Sequence, residues 1–343
     1  MPAPFAKGDF VSFLAPMQDI TDAGFMEIVA SYGAPDFFMA EYFRIHEYFY
    51  LDSYVLEAVL SRPAGKSVSA QFIGEDEYYI CKAIEALQEY PQIEMLDLNI
   101  GCPAPKIYRK NVGGGLLRDV KKIASIVKVM RSNWNKCLSV KMRLGFENSE
   151  NFFDIAKVVE DSGVDYITVH GRTVRQLYRG TPDYSKIKKL AESSLLPIIV
   201  NGDIDNPQKA FEFQSSTKCS GIMSGRHIVR NPWLFRQIRE RIEGRDVFEP
   251  TLSDVRGYVD KLWQNICRCA PRMKYADSRL KKFLNFVGVG VDAEGNFLYQ
   301  MRRAQGIDEL LSICDKYLLG ENESKKFNCM GFENLCSRPN HEK

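Results

Sequence analysis

Eight short apolar runs, each followed by a stretch long enough for a helix, constrain this chain more than any other feature. They are Val11–Ala15, Phe37–Ala40, Ser67–Phe72, Met95–Asn99, Leu138–Met142, Tyr166–His170, Ile198–Asn201 and Gly221–Ser224. Continuous apolar runs of this length are what strands buried on both faces require, and the stretches between them, such as Glu77–Leu87, Val120–Met130, Phe152–Asp161 and Pro207–Phe213, carry helical periodicity. Parallel strands need a crossover of about a dozen residues, usually a helix, and eight of them close a (β/α)8 TIM barrel of roughly 250 residues. A doubly wound open sheet is the alternative, because a strand count from pattern alone can err by one or two. With 343 residues the chain exceeds one barrel. The expected class is therefore α/β, a (β/α)8 barrel followed by a small all-α helical bundle.

The alternation stops after Pro232-Trp233-Leu234-Phe235, and the polar stretch Glu243–Pro250 contains the breakers Gly244 and Pro250. This gives a barrel over 1–242, a linker over 243–251, a bundle of three or four helices over 252–320 and a mobile tail over 321–343. Between Arg268 and Lys282 six basic residues (Arg268, Arg272, Lys274, Arg279, Lys281, Lys282) face one acid, Asp277, with Tyr275, Phe283 and Phe286 interleaved. Alone this is an ordinary solvated helix face; beside a catalytic barrel it reads as a dock for a phosphate backbone. The whole chain carries a net charge of only +2, so any polyanion must be held by such a local patch. Hydrophobic residues at 45% and charged residues at 26% exclude a disordered or fibrous chain. Nine scattered cysteines lack the paired spacing of a zinc site, and Cys267, Cys269, Cys329, Cys336 and His341 are poorly spaced for a metal. No metal is expected. Residues 1–10 lack a charged-then-apolar leader and no apolar run nears the roughly 18 residues of a membrane span. The expectation is a cytoplasmic protein with reduced thiols, monomeric by default.

In such barrels chemistry gathers where strands end. The run Leu96-Asp97-Leu98-Asn99-Ile100-Gly101-Cys102-Pro103 presents a thiol there, and Lys106 and the triplet Gly113-Gly114-Gly115 follow. The other strand ends offer Pro16-Met17-Gln18, Glu41, Gln71, Lys141 with Arg143, His170 with Arg172, Asn201-Gly202-Asp203 and Gly225-Arg226. Any one of these is more often a structural residue; their recurrence on nearly every strand is the signal. Glycine after the seventh and eighth runs lets backbone N–H groups approach an anion, with Arg226 as a cation, which suits a phosphate-bearing cofactor. Gln71, Lys141 and His170 sit where donors could face a flat heteroaromatic ring, Lys141 beside the side that becomes anionic on reduction.

Taken together, these motifs resemble the tRNA-dihydrouridine synthase family, FMN-dependent enzymes that reduce uridine in the tRNA D-loop. The resemblance runs from Val11 to Phe235 through Ala15-Pro16-Met17, Gln71, Asn99-Ile100-Gly101-Cys102-Pro103, Lys141-Met142-Arg143, Val169-His170-Gly171-Arg172-Thr173, Asn201-Gly202-Asp203-Ile204, Gly225-Arg226 and Asn231–Phe235. It continues more loosely through Arg279–Leu284, and the C-terminal part resembles the subgroup acting at position 16. The resemblance implies that Pro16, Met17, Gln18, Gln71, Lys141, His170, Asn201, Gly202, Asp203, Gly225 and Arg226 hold FMN, and that NADPH is the reductant. It also implies that Cys102 donates a proton, that Asn99 orients the uracil, and that Arg143, Arg172 and Arg175 contact substrate or tRNA. Asp19 stands where the family usually has glycine, and His227 where it often has a small residue. A thiol serving as acid must be neutral; attack by the sulfur as nucleophile is the rival role. Two other readings stay open: a flavin barrel acting on a free pyrimidine, which would not need the basic helical segment, and a nucleic-acid-binding protein using the barrel as scaffold.

Overall fold

The computed structural model describes residues 3–269 and 276–330. Strands β1 (Val11–Leu14), β2 (Phe37–Arg44), β3 (Val68–Ile73), β4 (Met95–Ile100), β5 (Cys137–Arg143), β6 (Tyr166–His170), β7 (Ile198–Asn201) and β8 (Gly221–Ser224) form a closed barrel in sequence order. Every neighbouring pair is parallel, and β1 bonds β8 in the register Val11↔Gly221 to Leu14↔Ser224, which rules out the open sheet. Four of the helices between strands start on aspartates: Asp52, Asp76, Asp119 and Asp183 each accept amide hydrogen bonds from the first turn that follows. Each cap contributes about 1 kcal/mol and fixes where a loop on the functional face ends.

Inside the barrel, Phe13, Met39, Met95, Cys137, Tyr166, Ile199 and Met223 form one apolar cluster. Phe5 joins it from the segment before β1, its ring 5.2 Å from that of Tyr166 and 5.8 Å from that of Phe13. Strand β2 extends four residues beyond the expected run. Its register against β3 slips between Met39↔Ser69 and Tyr42↔Gln71, three residues on one strand matching two on the other. This one-residue bulge reverses the in-out alternation of β2, so Met39 and Tyr42 both stand level with barrel-lining positions of β3.

By its contacts the chain divides into two compact units. The first holds the barrel, through residue 26, 35–204 and 210–224; the second comprises 27–34, 205–209 and the residues from 225 onward. The division thus falls at Gly225 and not in the expected linker. That linker is itself folded: the Glu240 carboxylate accepts from the Phe248 amide and from Arg236 Nε, both at 2.7 Å, and Gln237 Nε2 donates to the Phe248 carbonyl. Four helices follow in the described residues, Leu252–Cys269, Ala276–Val287, Asn296–Arg303 and Gly306–Leu318. Phe283 and Phe286, interleaved with the basic residues in the sequence, are buried in the core of this unit; Arg272, Lys274 and Tyr275 lie outside the described residues. The expected mobile tail is packed where it is described. Phe327 is 5% exposed, its amide donates to the Pro250 carbonyl, and the Leu252 amide donates to the Lys325 carbonyl. Residues 331–343, with Cys336 and His341, lie outside the description. Among the described residues no helix is long and apolar enough to cross a membrane.

Candidate active site

Strand β4 delivers the thiol through an amide clamp. Asn99 Oδ1 accepts from the backbone N–H groups of Gly101 (3.0 Å) and Cys102 (2.9 Å), and its Nδ2 donates to Gln71 Oε1 at 2.9 Å. The side chain expected to orient a substrate is therefore committed to shaping the cysteine loop. Below that loop the glycine triplet has a steric reason. The Gly114 amide donates to the Cys102 carbonyl, and a Cβ on Gly114 would lie 2.7 Å from that carbonyl oxygen and 2.6 Å from Val174 Cγ2. Gly114→Ala must push the Cys102 backbone away; since a misplacement of about 1 Å can cost about 10²-fold, turnover is expected to fall roughly 10- to 100-fold, with a melting temperature showing that the variant still folds.

Burial raises the Cys102 pKa above its usual value, against the lowering effect of the Ala104 amide, Arg143, Lys141 and Tyr42, so the sulfur is a neutral thiol at physiological pH. That is the state a proton donor needs. Beneath it lies a carboxyl that the sequence hid within an apolar run. Asp97 accepts from Gln71 Nε2 at 2.7 Å and from Ser139 Oγ at 2.6 Å, and burial pushes its pKa up to about 6. The available signal was Asp97 and Asn99 at alternate positions of one strand, hence on one face. Burial and the neighbouring Arg143 lower the Lys141 pKa to about 8, with Asp97 and Cys102 acting the other way. Lys141 Nζ donates to Asn201 Oδ1 at 3.1 Å, while Asn201 Nδ2 donates to the Met223 carbonyl.

Because the Asp97 pKa is raised in the fold from 3.8 to about 6, its contribution to stability is complete below about pH 4 and is lost as pH rises through 6. Asp97→Asn keeps the shape, with Oδ1 accepting from Gln71 and Nδ2 donating to the Ser139 hydroxyl. Relative to wild type, the variant's stability should therefore gain on the order of 3 kcal/mol between pH 4 and 7. Denaturant titrations at both pH values check this; a pH-independent difference would contradict the buried carboxylate.

The other expected residues fall in two groups. Pro16, Met17 and Gln18 form the turn after β1, where Met17 is tied to Thr21 by hydrogen bonds of 3.0 to 3.1 Å. Asp19 adopts φ +59°, the left-handed region, which glycine favours and which aspartate tolerates better than most side chains; its amide donates to Glu41. His170 closes β6, and Gly202, at φ +111°, packs so closely that a Cβ would lie 3.3 Å from His170 Cε1 and from Pro182 Cγ. Gly225 (φ −127°, ψ −95°) and Arg226 begin a short helix, Arg226–Arg230, of the second unit, in which His227 is buried.

Two of the three arginines expected to meet substrate or RNA are turned inward. Arg172 is 2% exposed, its guanidinium grips the Asp203 carboxylate, and its Nε donates to the Arg179 and Gly180 carbonyls. A buried guanidinium needs such a counter-ion, so Arg172 and the Asp203 side chain, each expected to touch a ligand, bind one another. Arg143 Nη1 donates to the Thr173 and Leu177 carbonyls, which ties down the loop after β6. Only Arg175 is exposed, paired with Glu147.

An eight-stranded parallel barrel that holds a neutral thiol, a carboxyl, an ammonium and an imidazole at its carboxyl end is a barrel enzyme equipped for proton-coupled chemistry. The family model for dihydrouridine synthase (Dus) matches residues 13–304, and the chain belongs to that family, which makes it an oxidoreductase that forms dihydrouridine. Curated relatives include a probable tRNA-dihydrouridine synthase of Helicobacter pylori (strain J99), 37% identical over 66% of this chain and 69% of that one. Another is tRNA-dihydrouridine synthase B of Pasteurella multocida, 34% identical over 71% and 73%. A tRNA-dihydrouridine(16) synthase of Neisseria meningitidis is 28% identical over 89% of this chain and 93% of that one. Among solved structures, histamine dehydrogenase from Rhizobium sp. 4-9 shares the fold with a TM-score of 0.52 at 12% identity, over 76% of this chain and 50% of that one.

Proposed function

We propose that the protein reduces the C5=C6 bond of a D-loop uridine in tRNA to 5,6-dihydrouridine, using FMN and, as reductant, NADPH. The observation that carries this reading is the Cys102 thiol, kept neutral by burial and set by Asn99 at the carboxyl end of β4. The site fits a flat cofactor with a phosphate tail. Gly202, at φ +111° after β7, lets the backbone turn close to the strand end, and Lys141 supplies a cation whose pKa of about 8 keeps it charged at neutral pH. On this reading Gln71, Lys141 and His170 face the ring, Pro16, Met17 and Gln18 border it, and Asn201, Gly202 and the backbone of Asp203 take the phosphate end. Bound FMN would supply the hydride that uracil C6 accepts. Cys102 holds the proton that C5 needs, and its sulfur keeps the bonding electron pair. Reaching the thiol requires the uridine to leave its stack, at a cost of a few kcal/mol. Arg175, exposed and paired with the surface carboxylate of Glu147 beside the Phe146 ring, would exchange Glu147 for an RNA phosphate.

The relative whose match runs through the helical segment bears the position number 16 in its name, and we expect uridine 16 to be the target. The test is to incubate the purified protein with NADPH and an unmodified tRNA transcript and to map each D-loop position by mass spectrometry. Yellow flavin absorbance and a gain of two hydrogens at one uridine are expected. A colourless protein that takes up no FMN would overturn the reading, as would equal turnover of a free pyrimidine by a chain lacking residues 252–343.

A further inference from the structure

The strand register gathers polar side chains from three neighbouring strands inside the barrel. Gln71 of β3 is level with Asp97 of β4, and Asp97 is level with Ser139 of β5; Asn99 lies two residues further along β4, on the same face as Asp97. All four are buried. Asp97 Oδ2 accepts from Gln71 Nε2 at 2.7 Å, Gln71 Oε1 accepts from Asn99 Nδ2 at 2.9 Å, and Asn99 Oδ1 accepts from the Gly101 and Cys102 amides. An unbroken line of hydrogen bonds thus runs from the carboxyl to the cysteine loop.

Its direction is forced at both ends. Backbone N–H groups only donate, so Asn99 turns its oxygen to Cys102 and its nitrogen to Gln71. Gln71 must then turn its oxygen to Asn99 and its nitrogen inward, where a buried N–H group needs an acceptor. Asp97 is that acceptor, and Ser139 Oγ, donating to Oδ1 at 2.6 Å, leaves Oδ2 to Gln71. Met39 Sδ, 3.2 Å from Gln71 Nε2, takes a further hydrogen of the same amide. A reversed Gln71 would set nitrogen against nitrogen at Asn99 and oxygen against oxygen at Asp97.

We propose that Asp97 is a positioning residue for Cys102, acting at a distance by fixing the orientation of two successive amides, Gln71 and Asn99. The inference rests on the reading of Cys102 as acid. With the accepting oxygen gone, Gln71 is free to turn over, Asn99 loses its partner, and the Cys102 amide loses its clamp. Lys141 offers a separate route, because its ammonium interacts with both Asp97 and Cys102 and would pass on a change of carboxylate charge. The two routes separate chemically. Asp97→Asn removes the charge and keeps the accepting oxygen, whereas Asp97→Leu removes both at similar size.

The test is alkylation of Cys102 by iodoacetamide at pH 8 in the purified protein, followed by peptide mass spectrometry with exposed Cys267 as internal reference. Asp97→Asn should stay within about two-fold of wild type, and Asp97→Leu should react at least about five-fold faster because an unclamped loop exposes the thiol. In turnover with tRNA, kcat of Asp97→Leu should lie at least about ten-fold below that of Asp97→Asn at the same KM, the scale of a misplaced reacting group. Equal alkylation rates in the two variants overturn the proposal. In an Asn99→Ala background the line is already cut, so Asp97→Leu should change the Cys102 rate no further; an effect as large as in the wild-type background also overturns it. Should Asp97→Leu not fold, Gln71→Glu is compared with Gln71→Glu combined with Asp97→Asn. The combination exchanges carboxylate and amide at constant charge and keeps an oxygen for Asn99 Nδ2, so it should alkylate like wild type, while Gln71→Glu alone, with two carboxylates face to face, should alkylate faster; equal rates overturn the proposal. If Cys102→Ala were fully active, the acid reading would fail while the order of the alkylation rates stood, so the two failures are distinguishable.

Discussion

Cys102→Ala is expected to lower dihydrouridine formation by about 10²- to 10⁴-fold, the usual contribution of a positioned general acid, with folding and flavin content unchanged. The variant leaves the Asn99 clamp intact, because Asn99 holds backbone amides and not the sulfur. Gln71, Asp97 and Ser139 likewise keep their mutual bonds. What disappears is only the proton source, so binding of tRNA should be preserved while single-turnover product formation slows. The distinction from nucleophilic attack is chemical. A neutral, burial-stabilised thiol is a poor nucleophile and a competent acid, and its pKa lies on the wrong side for thiolate attack at neutral pH. Rapid-quench mass spectrometry of the wild-type enzyme with tRNA should therefore find no sulfur-linked uridine; finding one would assign Cys102 the rival role.

The largest effect on stability is expected at the seam of the barrel. A Cβ on Gly221 would lie 2.1 Å from the Val11 carbonyl oxygen, in the residue pair where β8 closes onto β1. The obstructing atom belongs to the backbone, so no rotamer change relieves it, and moving Val11 opens the ladder. Gly221→Ala should cost about 3 kcal/mol or more, the upper range of overpacking, and Gly221→Val should leave little folded protein. Thermal melts and soluble yield measure both. Gly257 provides the contrast: it lies in the helix Leu252–Cys269 with nothing within 4 Å of an added Cβ. Gly257→Ala should raise stability by up to about 1 kcal/mol through helix propensity.

Strand positions were legible to within a residue at most boundaries because strands buried on both faces must be continuously apolar, and the punctuation between them is equally plain. Cys102, Lys141, His170 and Gly202 drew notice for a related reason: polar residues and glycines at or near the end of an apolar run mark where a strand stops. Partners were not legible. Arg172 and Asp203 lie on loops 31 residues apart and each resembles a ligand-binding residue, yet the fold brings them together as an ion pair. The β2 bulge left no mark, since any residue could be the extra one, and without it Tyr42 would point out of the barrel. Asp97 was concealed by its apolar neighbours, although in a closed barrel alternate positions face the interior and one of them can carry a carboxyl if donors surround it.

The Phe5 ring has a consequence for biosynthesis. It leaves the ribosome before any strand, yet its resting place is bounded by Tyr166, Ile199 and Met223, so more than two hundred residues must emerge before the barrel floor can be sealed. Throughout that interval the segment around Phe5 has no barrel interior to enter, a natural handle for chaperones and a reason for translation speed to affect yield.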